Sequence, residues 1–595
     1  MPLNEFYRER INRHQEKADR LQQRENRLSM ARLITFILIF LLFFALNGIS
    51  VTLALIASGI GIISFGVLVK QYANTEKLKN HHRHLVEINT LEMSSIMGDS
   101  SGFSDGREYV DRDHNNSYDL DLFGHASVYQ FMNRTCSQPG AAMLAQWLMK
   151  PAESDEIKQR QQAVEELKPE IDWRQQLMTT GYFARNSLNN PGDLLAWLVR
   201  ENEFPRPLRL KIIAICLSTL GVLFSLFAIT EQAAAILIPI LVVNFLAYFS
   251  QGRKINKLHQ QVSKSSDLLQ TYAAIIGTIE EKEFGTERLK HLRQHFIKQP
   301  RASAAVKRLS QLVNRLDTRL NVMVSIPLNL FFFWDIHACL ALESWKKQHA
   351  GDIHRWLGAM AEFEVLSSMS NMAFNNPVWM MPEIVPGYFT FKAKNMGHPL
   401  IPDHRLILNN IEIAESGRVL IVTGSNMSGK STFLRTCGVN MVLALAGAPV
   451  CATSFSMSHV QVFSSMRISD SLEENTSSFY AELKRLAAII KQAEQDSGVF
   501  ILLDEILRGT NSNDRYTGSV ALIRQLIGYG TVAVVATHDL KLAEMEKELP
   551  GRIDNYHFDV KVDGEELYFD YKLTSGICNS LNASILMKKM GIRIP

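Results

Sequence analysis

Val419-Leu-Ile-Val-Thr423-Gly424-Ser425-Asn426-Met427-Ser428-Gly429-Lys430-Ser431-Thr432-Phe433 decides the fold of the second half of this 595-residue chain. An apolar run of strand length feeds a complete G-x-x-x-x-G-K-S, and TFLRTCGVNMVLAL continues it with helical spacing. The glycines let the backbone curl so that its N–H groups face an anion, and the following helix presents its positive N-terminus there. Lys430 has the reach for β- and γ-phosphates, and Ser431 has the hydroxyl for Mg²⁺. The pattern predicts a phosphate-binding loop made of Gly424, Ser425, Asn426, Met427, Ser428, Gly429, Lys430, Ser431 and Thr432.

A loop that hydrolyses nucleotide needs an acidic strand end beside it, and Val499-Phe-Ile-Leu-Leu-Asp504-Glu505 supplies one. Asp504 is expected to hold Mg²⁺ with Ser431, and Glu505 to orient or deprotonate the attacking water. A further apolar run, TVAVVATHD, ends at Thr537-His538, where a histidine can sense the γ-phosphate; an ordinary structural histidine is the alternative. Polar groups at the ends of neighbouring strands converge on one edge of an α/β sheet, where such folds bind ligands. Short strand-like runs begin at about 386 and alternate with helical ones to the end, which is α/β patterning.

Between the loop and the acidic strand lies Asn475-Thr-Ser477-Ser478-Phe479-Tyr-Ala-Glu482, and after Glu505 comes Leu507-Arg508-Gly-Thr-Asn-Ser-Asn-Asp514. The order GSNMSGKST, SSFYAEL, FILLDEILRGTNSNDR, ATHDL resembles the ATPase domain of the MutS family of DNA mismatch repair proteins, itself related to ABC ATPases. The tail from Gly551 and the stretches beginning LFGHASVYQFMNRT and GAMAEFEVLSSMSN also look like that family, so the likeness covers about 119–204 and 253–595. It implies ATP and Mg²⁺ as cofactors and ATPase domains paired head to tail in a homodimer. Ser477 and Ser478 would then contact the γ-phosphate in the partner's site, and Arg508 to Asp514 would form a loop across the seam. It also implies DNA as a partner. The departures are as informative: no counterpart of the mismatch-reading N-terminal domain with its Phe-x-Glu wedge is expected, nor of the connector domain, the C-terminal dimerisation extension or the appended nuclease. Phe6 and Phe363 lie near glutamates but read as ordinary helix residues, and Ala142 stands where many relatives carry a basic residue.

Composition bounds the rest. With 46% hydrophobic and 21% charged residues the chain is neither disordered nor collagenous, and its net charge of +3 does not by itself point to a polyanion. Six scattered cysteines without a C-x-x-C pair indicate neither a zinc site nor a disulfide framework, and fit a reducing compartment. The mean hydropathy hides a run of thirty-seven residues, Leu33 to Val69, without Asp, Glu, Lys, Arg or His. A span needs about 20 apolar residues to cross about 30 Å of hydrocarbon, so this run reads as two passes folded at Asn47-Gly48. Ile212 to Gly252, with Glu231 alone charged and at its centre, reads as a second pair. Eight Lys or Arg in residues 1–32, and basic clusters at 70–83, 206–211 and 253–257, put every flank on the cytoplasmic side. Two buried hairpins in a soluble core are the alternative. Val322 to Leu342 contains Asp335 and His337 and reads as a buried soluble helix.

The expected architecture is an α/β P-loop ATPase domain of ABC/MutS type preceded by an all-α helical core, with two transmembrane helical hairpins. In order these are a charged helix over 1–30, a hairpin over 31–69, a linker over 70–118, helical core over 119–210, a second hairpin over 211–252, helical core over 253–385 and the ATPase domain over 386–595. The expected location is the cytoplasmic (inner) membrane, multi-pass, with the ATPase domain in the cytoplasm and the bilayer as a partner. Residues 251–330 hold fourteen Lys or Arg against six Asp or Glu. That surplus suits either a DNA-facing surface or solvated helix faces with membrane-flanking bias. Two functions are consistent with all this: a membrane-anchored ATPase that binds DNA, with mismatched and branched DNA as the candidates, in repair or recombination, or an ATP-switched membrane protein that no longer binds DNA. A transporter of ABC type fits less well, because four short-looped spans without intramembrane charge make a poor substrate path.

Overall fold

The computed structural model describes residues 2–182, 192–204, 206–227, 231–387, 389–467, 478–496, 498–563 and 566–578. The chain divides into two compact units, one of Met1–Arg134, Ala141–Ile171 and Val365–Pro595, the other of Thr135–Gly140 and Asp172–Glu364.

The first unit opens with two long helices, α1 (Leu3–Asn47) and α2 (Val51–Ile96), lying antiparallel. No glycine or proline interrupts α1, so the charged segment and the apolar run after it form one helix. Close approach of the pair is set at Gly61, where a Cβ would lie 2.6 Å from Ile39 Cγ1. The apolar halves leave Leu33, Leu41, Phe44 and Ile63 exposed. The polar halves form a stem knitted by a buried Lys79–Glu25 ion pair, to which the Tyr72 hydroxyl donates at 3.0 Å. The stem also pairs His14 Nδ1 with His82 Nδ1 at 3.1 Å. Burial first, then the charges of His82, Arg10, Lys17 and His81, hold the His14 pKa down at about 4, and burial lowers His81 and His82 as well. The folded stem therefore binds fewer protons than the unfolded one between the ordinary histidine pKa of about 6.5 and about 4. Its histidine contribution is complete above that range and is lost as pH falls through it. Hydrogen-exchange protection across residues 7–25 and 75–92, taken relative to the intrinsic rate at each pH, should fall as pH is lowered from 7.5 to 5, and a His14→Gln variant should lose part of that dependence.

Residues 70–96, expected within a linker, are instead the second half of α2. The stretch after them is no free linker either. Asn115 O accepts the Ser464 N–H at 2.9 Å and Asn116 Nδ2 donates to Val462 O at 2.7 Å. The buried Asp119 carboxylate accepts from Ser464 Oγ at 2.7 Å and from the Met466 and Arg467 N–H groups at 3.2 and 3.0 Å. Residues 113–121 thus strap the outer edge of a strand about 345 positions further on, covering an edge that would otherwise offer unpaired backbone groups. Asp119→Ala strands three donors and should cost about 3 kcal/mol locally, read as faster hydrogen exchange at 461–467.

Five helices follow: α3 (Val128–Met132), α4 (Gln138–Met149), α5 (Ser154–Leu167), α6 (Ile171–Tyr182) and α7 (Gly192–Val199). The expected first part of the helical core is not one body, because Ala141–Ile171 cluster with the α/β half. Arg160 explains why: it stacks on Trp147 at 3.3 Å and donates from Nη1 to Ala446 O at 3.0 Å.

The second unit is all helical among its described residues, with α8 (Pro207–Phe227), α9 (Glu231–Val262), α10 (Ser266–Glu281), α11 (Glu287–Ile297), α12 (Ala302–Asp317), α13 (Val322–Phe332) and the first part of α14 (Trp334–Asn375). Its core joins Leu268, Ile275, Leu309 and Val313 of α10 and α12. Phe363 is fully buried with its ring centroid 5.1 Å from Phe284 and 6.2 Å from Trp173, an ordinary core residue. The Val322–Leu342 stretch is not the single buried helix expected. It breaks at Phe333, whose φ of 48° turns the chain by 81°, and α13 before the break exposes its apolar side chains. Among the described residues, α1, α2 and Pro207–Ser225 of α8 are each long and apolar enough to cross a membrane.

The chain then returns to the first unit with strands β1 (Glu383–Val385), β2 (Phe391–Met396), β3 (Asn409–Ile413), β4 (Val419–Thr423), β5 (Ser454–Ser458), β6 (Gln461–Ser465), β7 (Val499–Asp504), β8 (Val532–Thr537), β9 (Ile553–Asp563) and β10 (Glu566–Ser575). Helix α15 (Lys430–Ala446) follows β4, α16 (Ser478–Gln495) precedes β7, and α17 (Ser512–Gly528) joins β7 to β8. A six-stranded sheet has the order β10-β9-β4-β8-β7-β6, parallel throughout except for β10. A smaller sheet has the order β1-β5-β2-β3. The three central strands β4, β8 and β7 are buried at every residue, as parallel strands covered on both faces must be. Leu486 and Ile489 of α16 and Ile523 and Leu526 of α17 cover one face. Gly438 of α15 covers the other so closely that a Cβ would lie 2.8 Å from Leu502 Cδ1.

Candidate functional site: the loop after β4

The parallel register fixes the site. Thr423 stands opposite Thr537 and Asp504 opposite Ala536, so β4, β7 and β8 deliver Gly424, Glu505 and His538 to the same edge of the sheet. The turn leaving β4 uses positive φ at Gly424 (151°), Met427 (69°) and Gly429 (105°). At Gly424 a Cβ would also meet Ser428 Oγ at 2.7 Å, which excludes other residues there. Met427 is exposed at the loop tip, Ser428 is buried beneath it, and Thr432 is exposed on the first turn of α15. Lys430 opens α15 with its side chain folded back: Nζ donates to Gly424 O and Ser425 O, both at 2.9 Å. Burial lowers its pKa, opposed by the charges of Glu505 and Asp504.

Asp504 ends β7 buried. Burial raises its pKa, and a hydrogen bond from Ser431 and the charge of Arg508 pull the other way. Its Oδ1 has no hydrogen-bond partner among the described residues. A hydroxyl and a carboxylate with one open, buried oxygen form an all-oxygen donor set, which suits Mg²⁺ bound through one or two protein ligands plus phosphate. Among the described residues no three His, Cys, Asp or Glu side chains converge into an all-protein metal site, and the Mg²⁺ arrangement needs none.

Glu505 adopts φ of 51°, a left-handed conformation costing a non-glycine residue about 1–2 kcal/mol, with its N–H bonded to Ala536 O at 2.9 Å. The turn points its carboxylate back over the sheet edge, where Oε2 pairs with Arg508 Nε at 3.2 Å and Oε1 lies 3.4 Å from His538 Nδ1. Arg508, expected in a loop across a dimer seam, is in this chain engaged with Glu505. Buried Glu482 accepts the Leu507 N–H and braces the same turn; burial raises its pKa. Ser478 begins α16, and Ser477 lies outside the described residues.

Residues 426–432 and Glu505 line one cavity of about 530 Å³, within the range of small-ligand pockets. His538 borders Glu505 from outside that cavity. Ile407, Asn409 and Tyr571 form a wall that the sequence reading missed. Tyr571 reaches the loop from β10, close enough that a Cβ on Gly429 would lie 3.0 Å from its ring, and Asn409 Nδ2 donates to Tyr571 O at 3.1 Å. No local motif marks these residues, since β3 and β10 are brought together only by the fold.

Two family models match the chain, MutS domain III over residues 112–370 and MutS domain V over residues 420–590. The DNA mismatch repair protein MutS of Fusobacterium nucleatum is 32% identical over 236 residues, 39% of this chain and 26% of that protein. The protein of the same name from Thermotoga maritima is 24% identical over 500 residues, 78% of this chain and 61% of the relative. Human MutS protein homolog 4 is 32% identical over 204 residues, 32% of this chain and 21% of its own length. The matched part thus spans about a quarter of the Fusobacterium relative. Both patterns occur in one chain and in the family's order, and this protein belongs to the MutS family.

Proposed function

We propose that this chain is a membrane-anchored ATPase of MutS type that couples ATP binding and hydrolysis to DNA binding at the cytoplasmic face of the membrane. The observation that carries the reading is the meeting of Lys430, Ser431, Asp504 and Glu505 at one sheet edge. It joins a lysine on its own loop carbonyls, a hydroxyl beside a buried carboxylate with an open oxygen, and a second carboxylate facing the same cavity. In this reading Gly424 to Thr432 wrap the phosphates and Lys430 makes the charge-assisted contacts to them. Ser431 and Asp504 would hold Mg²⁺, which when bound neutralises phosphate charge. Glu505 orients the water and takes its proton, and His538 and Arg508 hold the Glu505 carboxylate in place. Ser477 and Ser478 of the partner subunit would close the open side of the γ-phosphate, making dimerisation ATP-dependent.

Membrane anchoring is supported by the exposed apolar halves of α1 and α2 and by eight basic residues before Leu33. DNA binding is supported by α12, whose outer face exposes Lys307, Arg308 and Arg315, with exposed Arg301 immediately before it. The one acid on that helix, Asp317, pairs with His259 at 3.0 Å. Replacing Lys307, Arg308 and Arg315 together by alanine should weaken DNA binding and reduce the slope of log affinity against log salt by about 2–3, one phosphate contact per lost charge. An unchanged slope would remove α12 from the DNA surface.

A further inference from the structure

Helix α13 is built inside out for a helix in water. Its apolar side chains face outward, with Val322 63%, Met323 86% and Ile326 61% exposed, while the polar Asn329 is 3% exposed. Asn329 Oδ1 accepts the Asp335 N–H at 2.8 Å, and Nδ2 donates to Ser325 O at 3.0 Å. A polar Asn329 satisfied inside the protein and apolar groups turned outward are the arrangement that hydrocarbon selects.

The neighbours of α13 fix where that hydrocarbon lies. Fully buried Asn244 of α9 donates from Nδ2 to Leu330 O at 2.9 Å, satisfying a last-turn carbonyl that has no partner within the helix. Gly221 of α8 stands at the same level, where a Cβ would lie 3.3 Å from Asn244 Nδ2 and 3.9 Å from the Phe331 ring. Further along α9, the Tyr248 hydroxyl donates to Asp335 Oδ2 at 2.9 Å, and Arg319 bridges Asp335 Oδ2 at 3.5 Å and Asn256 Oδ1 at 2.6 Å. Asn244 precedes Arg253, the first basic residue after the apolar part of α9, by nine positions, or about 13 Å along the helix. The eleven residues of α13 measure about 16 Å, half the thickness of the hydrocarbon. Beyond Phe333 the chain is no span, because Asp335, Glu343 and Lys346 of α14 are buried in protein.

We propose that Val322–Phe332 is a membrane-inserted half-helix, seated against α8 and α9 with its outer face in the acyl chains of the cytoplasmic leaflet, entering and leaving on the same side. The proposal rests on the membrane reading of α8 and α9, and the test separates the two. Full-length protein carrying Cys136→Ala and Cys216→Ala, which removes the cysteines that are not buried, is placed in lipid nanodiscs. A polarity-sensitive fluorophore is attached at Met323→Cys, at Ile326→Cys, at Val242→Cys on the exposed face of α9, and at the exposed Lys290→Cys of α11. Expected is several-fold stronger quenching at 323 and 326 by nitroxide-bearing acyl chains than by aqueous iodide, as at 242, with the reverse at 290. Quenching at 323 and 326 by iodide alone, with 242 quenched from lipid, overturns the half-helix and leaves the spans standing. Protection of 323 and 326 from both quenchers also overturns it, in favour of a protein covering α13. If 242 behaves like 290, the membrane reading fails and the half-helix with it.

Discussion

Glu505→Gln should bind ATP as tightly as the unaltered protein and hydrolyse it about 10²–10⁴-fold more slowly, the range for losing a general base. Glutamine keeps the length of the side chain and tolerates the same left-handed backbone, so the turn after β7 is preserved. It loses the proton-accepting charge between Arg508 and His538. Single-turnover hydrolysis with a separate nucleotide-binding measurement distinguishes the steps, and the stalled variant should accumulate as a nucleotide-bound dimer. Were Glu505 only a structural partner of Arg508, hydrolysis would fall by a few-fold at most and ATP would not shift the oligomeric state.

Lys430→Ala should fail one step earlier. The ammonium group is the one cation on the loop itself, and each charge-assisted hydrogen bond it makes to phosphate is worth about 1.5–3 kcal/mol. Two such bonds correspond to an affinity loss of about 10²-fold or more. Alanine also frees the carbonyls of Gly424 and Ser425 that Lys430 occupies, so the loop loses an internal brace as well as its charge. Titration with a fluorescent nucleotide reads the loss directly. Near-normal affinity would mean that the loop amides hold the phosphates unaided.

How much of this was legible in the sequence follows from the range of the interactions. The loop after β4 was legible because glycine conformation, lysine and serine are set within eight residues, and Asp504 because an acid ending an apolar strand has few other uses. The strap at 113–121 was not, because its Ser, Asp and Asn content is that of a loop whether or not it docks, and its partners lie about 345 residues away. Tyr571 was hidden for the same reason. The break at Phe333 was missed because Val322–Leu342 carries no charge before Asp335 and nothing local demands positive φ at a phenylalanine. What fixes it is the inward turn of Asn329 and Asp335, a tertiary requirement.

In the proposed function, nucleotide at the loop after β4 controls DNA binding by a membrane-held protein. The most direct test is binding of nanodisc-embedded full-length protein to labelled homoduplex, mismatched and branched DNA, with and without ATP, across a salt series. Expected from the proposed function is nucleotide-dependent binding with a steep salt dependence that the triple α12 variant flattens. Absence of binding at low salt, by protein that hydrolyses ATP in the same preparation, would contradict it and leave an ATP-driven membrane switch that does not act on DNA.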